Sequence, residues 1–223
     1  MSTGSDLTRP QFERAALVTI DVQQDVLDGQ PLEIAGSSAA LGAMCELAQS
    51  FRDRARPIVH VVRLYRPDGS NVDLCRREAI RRGGQALAPQ SAGAQLAPGL
   101  APPVHARLDA ELLLAGGIQR LGEGEVAIYK PRWGAFYDTP LQTHLERLGV
   151  STLVFCGVNF PNCPRTSIYE ASERDFRIVL ASDAISGLYE RGLQELANIG
   201  VNLRSAAELI TELRSATRPA LAG

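Results

Sequence analysis

The feature of this sequence that most constrains its fold is a series of short apolar runs separated by segments with helical spacing. Runs such as AALVTI and STLVFCGV have the length and composition of buried parallel strands. Six strands are predicted, at 15–20, 57–65, 126–130, 151–158, 177–183 and 199–205. Helical spacing is found at 37–55, 140–149, 164–175, 190–198 and 205–215. This alternation predicts a doubly wound, three-layer αβα domain with a mostly parallel, about six-stranded sheet.

One segment departs from the alternation. Residues 66–125 contain no convincing strand, and 83–103 are rich in Gly, Ala and Pro. Connections this long are usually functional or mobile. A chain of 223 residues suits one domain. We therefore expect a single domain over 1–223 in which 66–125 is a variable cover or oligomer-contact segment, and a disordered insertion is the alternative.

Charge and composition limit the class of partner. A net charge of −2 argues against nucleic acid or an anionic membrane as the main partner. The N-terminus lacks the pattern of a signal peptide, and no apolar run approaches the ~20 residues that span a bilayer. The four cysteines form no CxxC pair, and the three histidines are isolated. We expect a cytoplasmic protein with a small-molecule substrate and no metal.

Three polar residues follow predicted strands, at the edge where ligands bind in α/β sheets. They are Asp21 after AALVTI, Lys130 after VAIY and Cys163 after STLVFCGV. Lys130 is the single lysine among 23 Lys and Arg residues. Arginine cannot replace lysine where a compact, tunable ammonium is needed, which favours a functional role for Lys130. In the alternative, Asp21 only caps an element and Lys130 only pairs with it.

Cys163 has the most informative surroundings of the four cysteines. It is followed by Pro164, and proline is preferred at the first position of a helix. The positive end of that helix predicts a lowered thiol pKa and a thiolate at Cys163. Backbone N–H groups of the same turn are suited to hold an oxyanion. Cys45, Cys75 and Cys156 lack this position and are interpreted as non-catalytic.

Three segments resemble the signature segments of the isochorismatase-like cysteine hydrolases. They are VTIDVQQDVLDG, IYKPRWGAFYDTPL and FCGVNFPNCPRTSIYEASERDFRIVLASDAISG. This superfamily has a Rossmann-like fold and includes nicotinamidases, N-carbamoylsarcosine amidohydrolases and streptothricin lactam hydrolases. The resemblance extends from about residue 14 to residue 210, and 66–125 is its weakest part.

The resemblance implies roles for particular residues. Cys163 would be the nucleophile, Asp21 the general base and acid, and Lys130 their cationic partner. It also implies a cis peptide bond between Val158 and Asn159, which turns the Asn159 N–H towards an oxyanion beside the Cys163 N–H.

The sequence departs from the family pattern in two places. Phe160 and Pro161 follow Asn159, where most relatives have a small hydroxyl residue. Nicotinamidases carry an Asp-x-His metal cluster after their second strand, whereas VRLYRPDGSNVDLC contains no histidine. The second departure argues against a metal and against nicotinamide as the substrate, and no cofactor is expected.

Further site residues are considered because they lie near Asp21, Lys130 or Cys163 in the sequence or at the end of the second predicted strand. Arg63 and Arg66 end the second strand, and a solvated charged face is the slightly preferred interpretation for both. His60, inside PIVHVV, is predicted to be a satisfied core histidine. The predicted substrate pocket comprises Gln23, Tyr65, Trp133, Phe136 and Phe160.

The preferred function is hydrolysis of a small-molecule, non-peptide C–N bond through a thioester. Linear amides, lactams and carbamoyl groups all fit. An isochorismatase-type vinyl-ether hydrolase is an alternative, since members of that branch work with the aspartate and lysine and without a cysteine. A catalytically silent α/β interaction module is a third possibility. The resemblance also implies a homo-oligomer, a dimer or tetramer.

Overall fold

A computed structural model describes residues 7–102 and 107–216 and shows a seven-stranded sheet flanked by helices. The sheet order is β3-β4-β2-β1-β5-β6-β7, and only the β3–β4 pair is antiparallel. The strands are β1 (Ala15–Ile20), β2 (Ile58–Val62), β3 (Ile118–Gly122), β4 (Glu125–Tyr129), β5 (Thr152–Gly157), β6 (Arg177–Ile185) and β7 (Asn202–Arg204). This arrangement confirms the predicted α/β fold with its mostly parallel sheet.

Helices cover both faces of the sheet, so that it is the middle layer of three. They are α1 (Ser37–Asp53), α2 (Leu74–Arg81), α3 (Ala110–Leu114), α4 (Leu141–Arg147), α5 (Cys163–Ser172), α6 (Glu190–Asn198) and α7 (Ala206–Ser215). Side chains of α1 and α7 pack into the core on one face, and side chains of α4, α5 and α6 pack on the other. No helix among the described residues is long and apolar enough to cross a membrane.

The central strand β1 shows why its sequence is an unbroken apolar run. All six of its residues are buried, because neighbouring side chains alternate between two covered faces. Leu17 enters the core beside α1, whereas Val18 enters the core beside α4 and α5. The chain builds β2 and β4 on one side of β1 and β5, β6 and β7 on the other. This reversal opens a crevice between the carboxyl ends of β1 and β5.

The prediction that residues 66–125 lack a strand is wrong, and the sheet has seven strands rather than six. The extra strand, β3, lies at the edge and pairs with β4 through a tight connection at 123–124. Only Gln119 and Leu121 of β3 are buried, so the strand has no continuous apolar run to detect. The connection LGEGEV was the available signal, since Gly124 adopts a positive φ of 67° suited to a turn.

The part of the predicted cover segment that precedes residue 103 is packed against the domain. Leu87, Leu96 and Leu100 are buried in the same core as α1, which argues against a disordered insertion over 66–102. Residues 103–106, and the two ends of the predicted 1–223 domain, lie outside the described residues. An oligomer contact through this segment stays a prediction.

Candidate active site

Strand ends bring Asp21, Lys130 and Cys163 to one edge of the sheet. Asp21 directly follows β1, Lys130 directly follows β4, and Cys163 begins α5 after β5. Asp21 and Cys163 line the same narrow cavity. Lys130 Nζ lies 2.9 Å from Asp21 Oδ2, so the cation and the carboxylate form a buried ion pair.

The two oxygens of Asp21 have different surroundings. Oδ2 accepts from Lys130, which is fully buried and whose Nζ also donates to the Arg132 carbonyl at 3.2 Å. Oδ1 is buried and has no hydrogen-bond partner among the residues that the structure describes. Buried carboxylate oxygens normally accept hydrogen bonds. Asp21 therefore has one oxygen fixed by the lysine and one free to take a proton.

The predicted thiolate at Cys163 is wrong for the resting protein. Burial is the largest cause that raises the pKa of this thiol to about 12, and the negative charge of Asp21 raises it further. The positive charges of Lys130 and Arg63 act in the opposite direction without cancelling these effects. The position at a helix start was predicted correctly, but that favourable field is smaller than the cost of a buried anion next to a carboxylate. Cys163 rests as a thiol.

The turn before α5 presents two backbone N–H groups. The Val158–Asn159 peptide bond is cis. Neither the Asn159 N–H nor the Cys163 N–H has an acceptor within residues 7–102 and 107–216. Gly157 allows the close approach of β1 behind this turn, since its φ is 133° and an added Cβ would lie 2.3 Å from the Ile20 carbonyl oxygen. The turn thus has two donors available for an oxyanion.

Phe160 does not line the cavity, contrary to the sequence prediction. Its ring is fully buried in the core on the α4–α6 side and contacts Tyr189 edge-on, with 5.4 Å between ring centroids. Gly192 leaves room for the ring, because an added Cβ would lie 2.4 Å from it. The Phe160 N–H donates to the Ser186 carbonyl at 2.8 Å, which fixes the turn. The aromatic side chain of Phe160 thus anchors the turn before α5 to the core on the α4–α6 side of the sheet.

Gln23 and Phe136 were also wrongly predicted to line the pocket. The Gln23 side chain is fully buried, donates to the carbonyls of Arg63 and Ala94, and accepts from the Arg63 N–H at 2.8 Å. Its amide is therefore used in joining backbone segments. Phe136 packs against Phe176 in the core, with 5.9 Å between ring centroids.

Tyr65 lines the cavity as predicted, whereas Trp133 is not a lining residue and contacts the guanidinium groups of Arg63 and Arg76. Arg63 is buried and forms an ion pair with Asp73, so the preferred interpretation of a solvated Arg63 is wrong. Arg66 is exposed, in agreement with that interpretation.

Several cavity residues were missed by sequence reasoning. Arg76 belongs to α2, whose charged sequence LCRREAIR contains no motif that indicates a binding site. Asn162 directly precedes Cys163, and its place in the turn before α5 was the available indication that it lies near the thiol. The remaining missed residues are the apolar ones Val26, Leu32, Ile34 and Leu87.

His60 is a satisfied core histidine, as predicted. One ring nitrogen is hydrogen-bonded to Thr19 Oγ1 at 2.8 Å and the other to Glu125 Oε1 at 2.7 Å. Burial lowers the pKa of His60. Glu125 also receives two hydrogen bonds from Arg52, at 2.7 and 2.8 Å. These bonds outweigh the effect of burial and lower the pKa of Glu125 to about 2.

Comparison with known proteins identifies the family. A model of the isochorismatase domain matches residues 15–109 and 114–211. The chain therefore belongs to the isochorismatase family of hydrolases, and the resemblance of its three segments is confirmed.

Three similar proteins match this chain over most of its length. A protein of Arabidopsis thaliana named as a probable inactive nicotinamidase is 25% identical over 209 residues, which are 91% of this chain and 98% of the relative. The crystal structure of an isochorismatase family protein from Desulfovibrio vulgaris is 28% identical with a TM-score of 0.76, covering 90% and 98% of the two chains. N-carbamoylsarcosine amidase from Thermoplasma acidophilum, at 20% identity and a TM-score of 0.66, shares the fold over 86% of this chain and 96% of its own.

Proposed function

We propose that the protein is a cysteine-dependent hydrolase of a small-molecule, non-peptide C–N bond in a linear amide, a lactam or a carbamoyl group. The observation that carries the proposal is the buried Lys130–Asp21 pair, in which Asp21 lines the cavity of Cys163 and has one oxygen left without a partner among the described residues. This geometry suits the transfer of a proton from a nucleophile to a carboxylate that keeps its place. The shared fold with N-carbamoylsarcosine amidase supports a C–N bond as the target.

The reaction begins with the neutral thiol. As Cys163 Sγ attacks the carbonyl carbon, its proton passes to Asp21 Oδ1, so no free thiolate accumulates in the buried site. The carbonyl oxygen takes the negative charge and is held by the N–H groups of Asn159 and Cys163. Collapse of this intermediate breaks the C–N bond, and the leaving nitrogen takes the proton from Asp21. An acyl thioester on Cys163 remains.

Water completes the cycle. Asp21 takes a proton from a water molecule that attacks the thioester carbonyl, and the thiolate of Cys163 leaves and recovers the proton. Lys130 stays positively charged throughout and offsets the negative charge that moves between Asp21 and Cys163. All steps use side chains and backbone groups of this chain, and the proposal requires no cofactor.

Two other functions are distinguishable from this one. A vinyl-ether hydrolase would not need the thiol, so the placement of Cys163 beside Asp21 favours the cysteine-dependent route. A catalytically silent interaction module would not need these side chains, yet Asp21, Lys130 and Cys163 are all present here, although the Arabidopsis relative is named as probably inactive. We further propose that the enzyme acts in the cytoplasm as a homo-oligomer.

The test is release of ammonia or amine from a panel of small linear amides, lactams and carbamoyl compounds. Wild type should hydrolyse at least one member, and Cys163→Ser should lose the activity. Cys75→Ser is the matched control, because Cys75 is exposed on α2 and should leave the activity unchanged. Hydrolysis that persists in Cys163→Ser would refute the proposal. Turnover of a vinyl ether by both variants would favour the alternative enzyme.

A further inference from the structure

The start of α2 is fixed at the cavity by a buried ion pair. Asp73 precedes α2 as its N-cap residue and pairs with the guanidinium of Arg63, just beyond the end of β2. Both side chains are buried, and Arg63 also donates to the Arg132 carbonyl at 2.9 Å. Breaking a buried pair is costly, so this contact sets the position of the first turn of α2.

Arg76 lies in that first turn and lines the cavity of Cys163. One of its terminal nitrogens donates to the Tyr65 hydroxyl at 3.0 Å, and its guanidinium carbon lies 4.9 Å from the centre of the Trp133 ring. These contacts orient the guanidinium without neutralising it. Its other N–H groups have no acceptor, and it has no carboxylate partner, in the described part of the chain.

Among the described cationic side chains at the cavity, two form ion pairs and a third does not. Lys130 is balanced by Asp21, and Arg63 is balanced by Asp73. Arg76 is the cavity-lining cation that no described acidic group balances. The rest of the wall includes apolar side chains from the loop after β1 and from the cover segment, namely Val26, Leu32, Ile34 and Leu87.

We propose that Arg76 binds a carboxylate of the substrate, so that the substrate is a small amide or carbamoyl compound with an acidic group. A guanidinium with free N–H groups matches the two oxygens of a carboxylate, and partial burial strengthens the bond. The apolar wall faces the short carbon skeleton between the acidic group and the C–N bond. The substrate class rests on the proposed hydrolase function, whereas the binding of an anion by Arg76 does not.

The experiment compares two alkylating reagents that differ by one charge. Iodoacetate and iodoacetamide both alkylate thiols, and peptide mass mapping gives each rate at Cys163. In wild type, Arg76 should favour iodoacetate, and Arg76→Gln should lower the iodoacetate-to-iodoacetamide rate ratio by about tenfold. Arg77→Gln is the matched control, because the Arg77 guanidinium donates to the Val72 carbonyl and does not line the cavity. Its ratio should equal that of wild type.

Arg76→Lys tests whether charge or shape matters and guards against a folding defect in Arg76→Gln. It keeps the positive charge and should retain part of the preference for iodoacetate. An unchanged ratio in Arg76→Gln would overturn the proposal, and so would an equal fall in both rates, because Arg76 would then act on the thiol and not on the reagent. If Cys163 reacts no faster than Cys75 with either reagent, the nucleophile of the proposed function is in doubt, but the ratio at Cys163 still decides the role of Arg76.

Discussion

The buried pair of Lys130 and Asp21 leads to a quantitative prediction about stability. In Lys130→Met the side chain stays long and unbranched, but Asp21 Oδ2 loses its partner at 2.9 Å. At that distance the attraction of two unit charges is about 6 kcal/mol for an effective dielectric constant of about 20. Removing one partner of a buried pair typically costs about 3–5 kcal/mol, because the remaining charge is left desolvated. We expect the free energy of unfolding at pH 7 to fall by this amount.

Urea unfolding followed by circular dichroism measures the change. Glu78→Gln is the control, since Glu78 pairs with Arg82 on an exposed helix face and should cost less than about 0.5 kcal/mol. The double variant Asp21→Asn/Lys130→Met removes both charges and should recover much of the loss. A loss below about 1 kcal/mol in Lys130→Met, or no recovery in the double variant, would refute the reasoning from a buried pair.

Three further predictions concern pH, the thiol and the turn. Because the pKa of Glu125 is about 2 in the folded protein and 4.5 in the unfolded chain, its stabilisation of about 3 kcal/mol is present above pH 4.5 and lost as the pH falls towards 2. His60, whose pKa is lowered from 6.5, adds a loss of the same sign below pH 6.5, so Glu125→Gln should weaken but not abolish the acid dependence of urea unfolding. Asp21→Asn should shift the pH dependence of Cys163 alkylation by iodoacetamide to lower pH while losing hydrolysis, because after burial the Asp21 charge is the main cause of the raised thiol pKa. A pH dependence that stays in place or moves to higher pH would contradict this. Gly157→Ala should lower the melting temperature, since its Cβ would overlap the neighbouring strand, and an unchanged value would show that the turn can relax.

Central elements of the fold were predictable to the residue. The prediction of 15–20 coincides with β1, and that of 190–198 coincides with α6. Both have strong patterns, because β1 is buried on two faces and α6 presents one apolar side to the core. β3 was missed because an edge strand needs only alternate burial, which a short sequence such as IQRLG does not reveal.

In the site, too, some features follow from the local sequence pattern, whereas others depend on tertiary contacts. Asp21, Lys130 and Cys163 follow strands, and parallel strands end at one edge, so their meeting follows from the sequence pattern. The raised pKa of Cys163 depends on burial by distant segments, which the position at a helix start does not disclose. The position of Arg76 depends on the tertiary ion pair at the start of α2, and nothing within LCRREAIR indicates it.

The central claim is that Cys163 forms an acyl thioester whose hydrolysis needs Asp21. The most direct test is rapid mixing with p-nitrophenyl acetate, acid quenching and intact-protein mass, for wild type, Cys163→Ser and Asp21→Asn. We predict one acetyl group that appears transiently in wild type and is absent from Cys163→Ser. In Asp21→Asn the acetyl group should form more slowly, because the base for the thiol is missing, and should then persist. Equal acetylation of wild type and Cys163→Ser, or equally fast loss of the acetyl group with and without Asp21, would contradict the account.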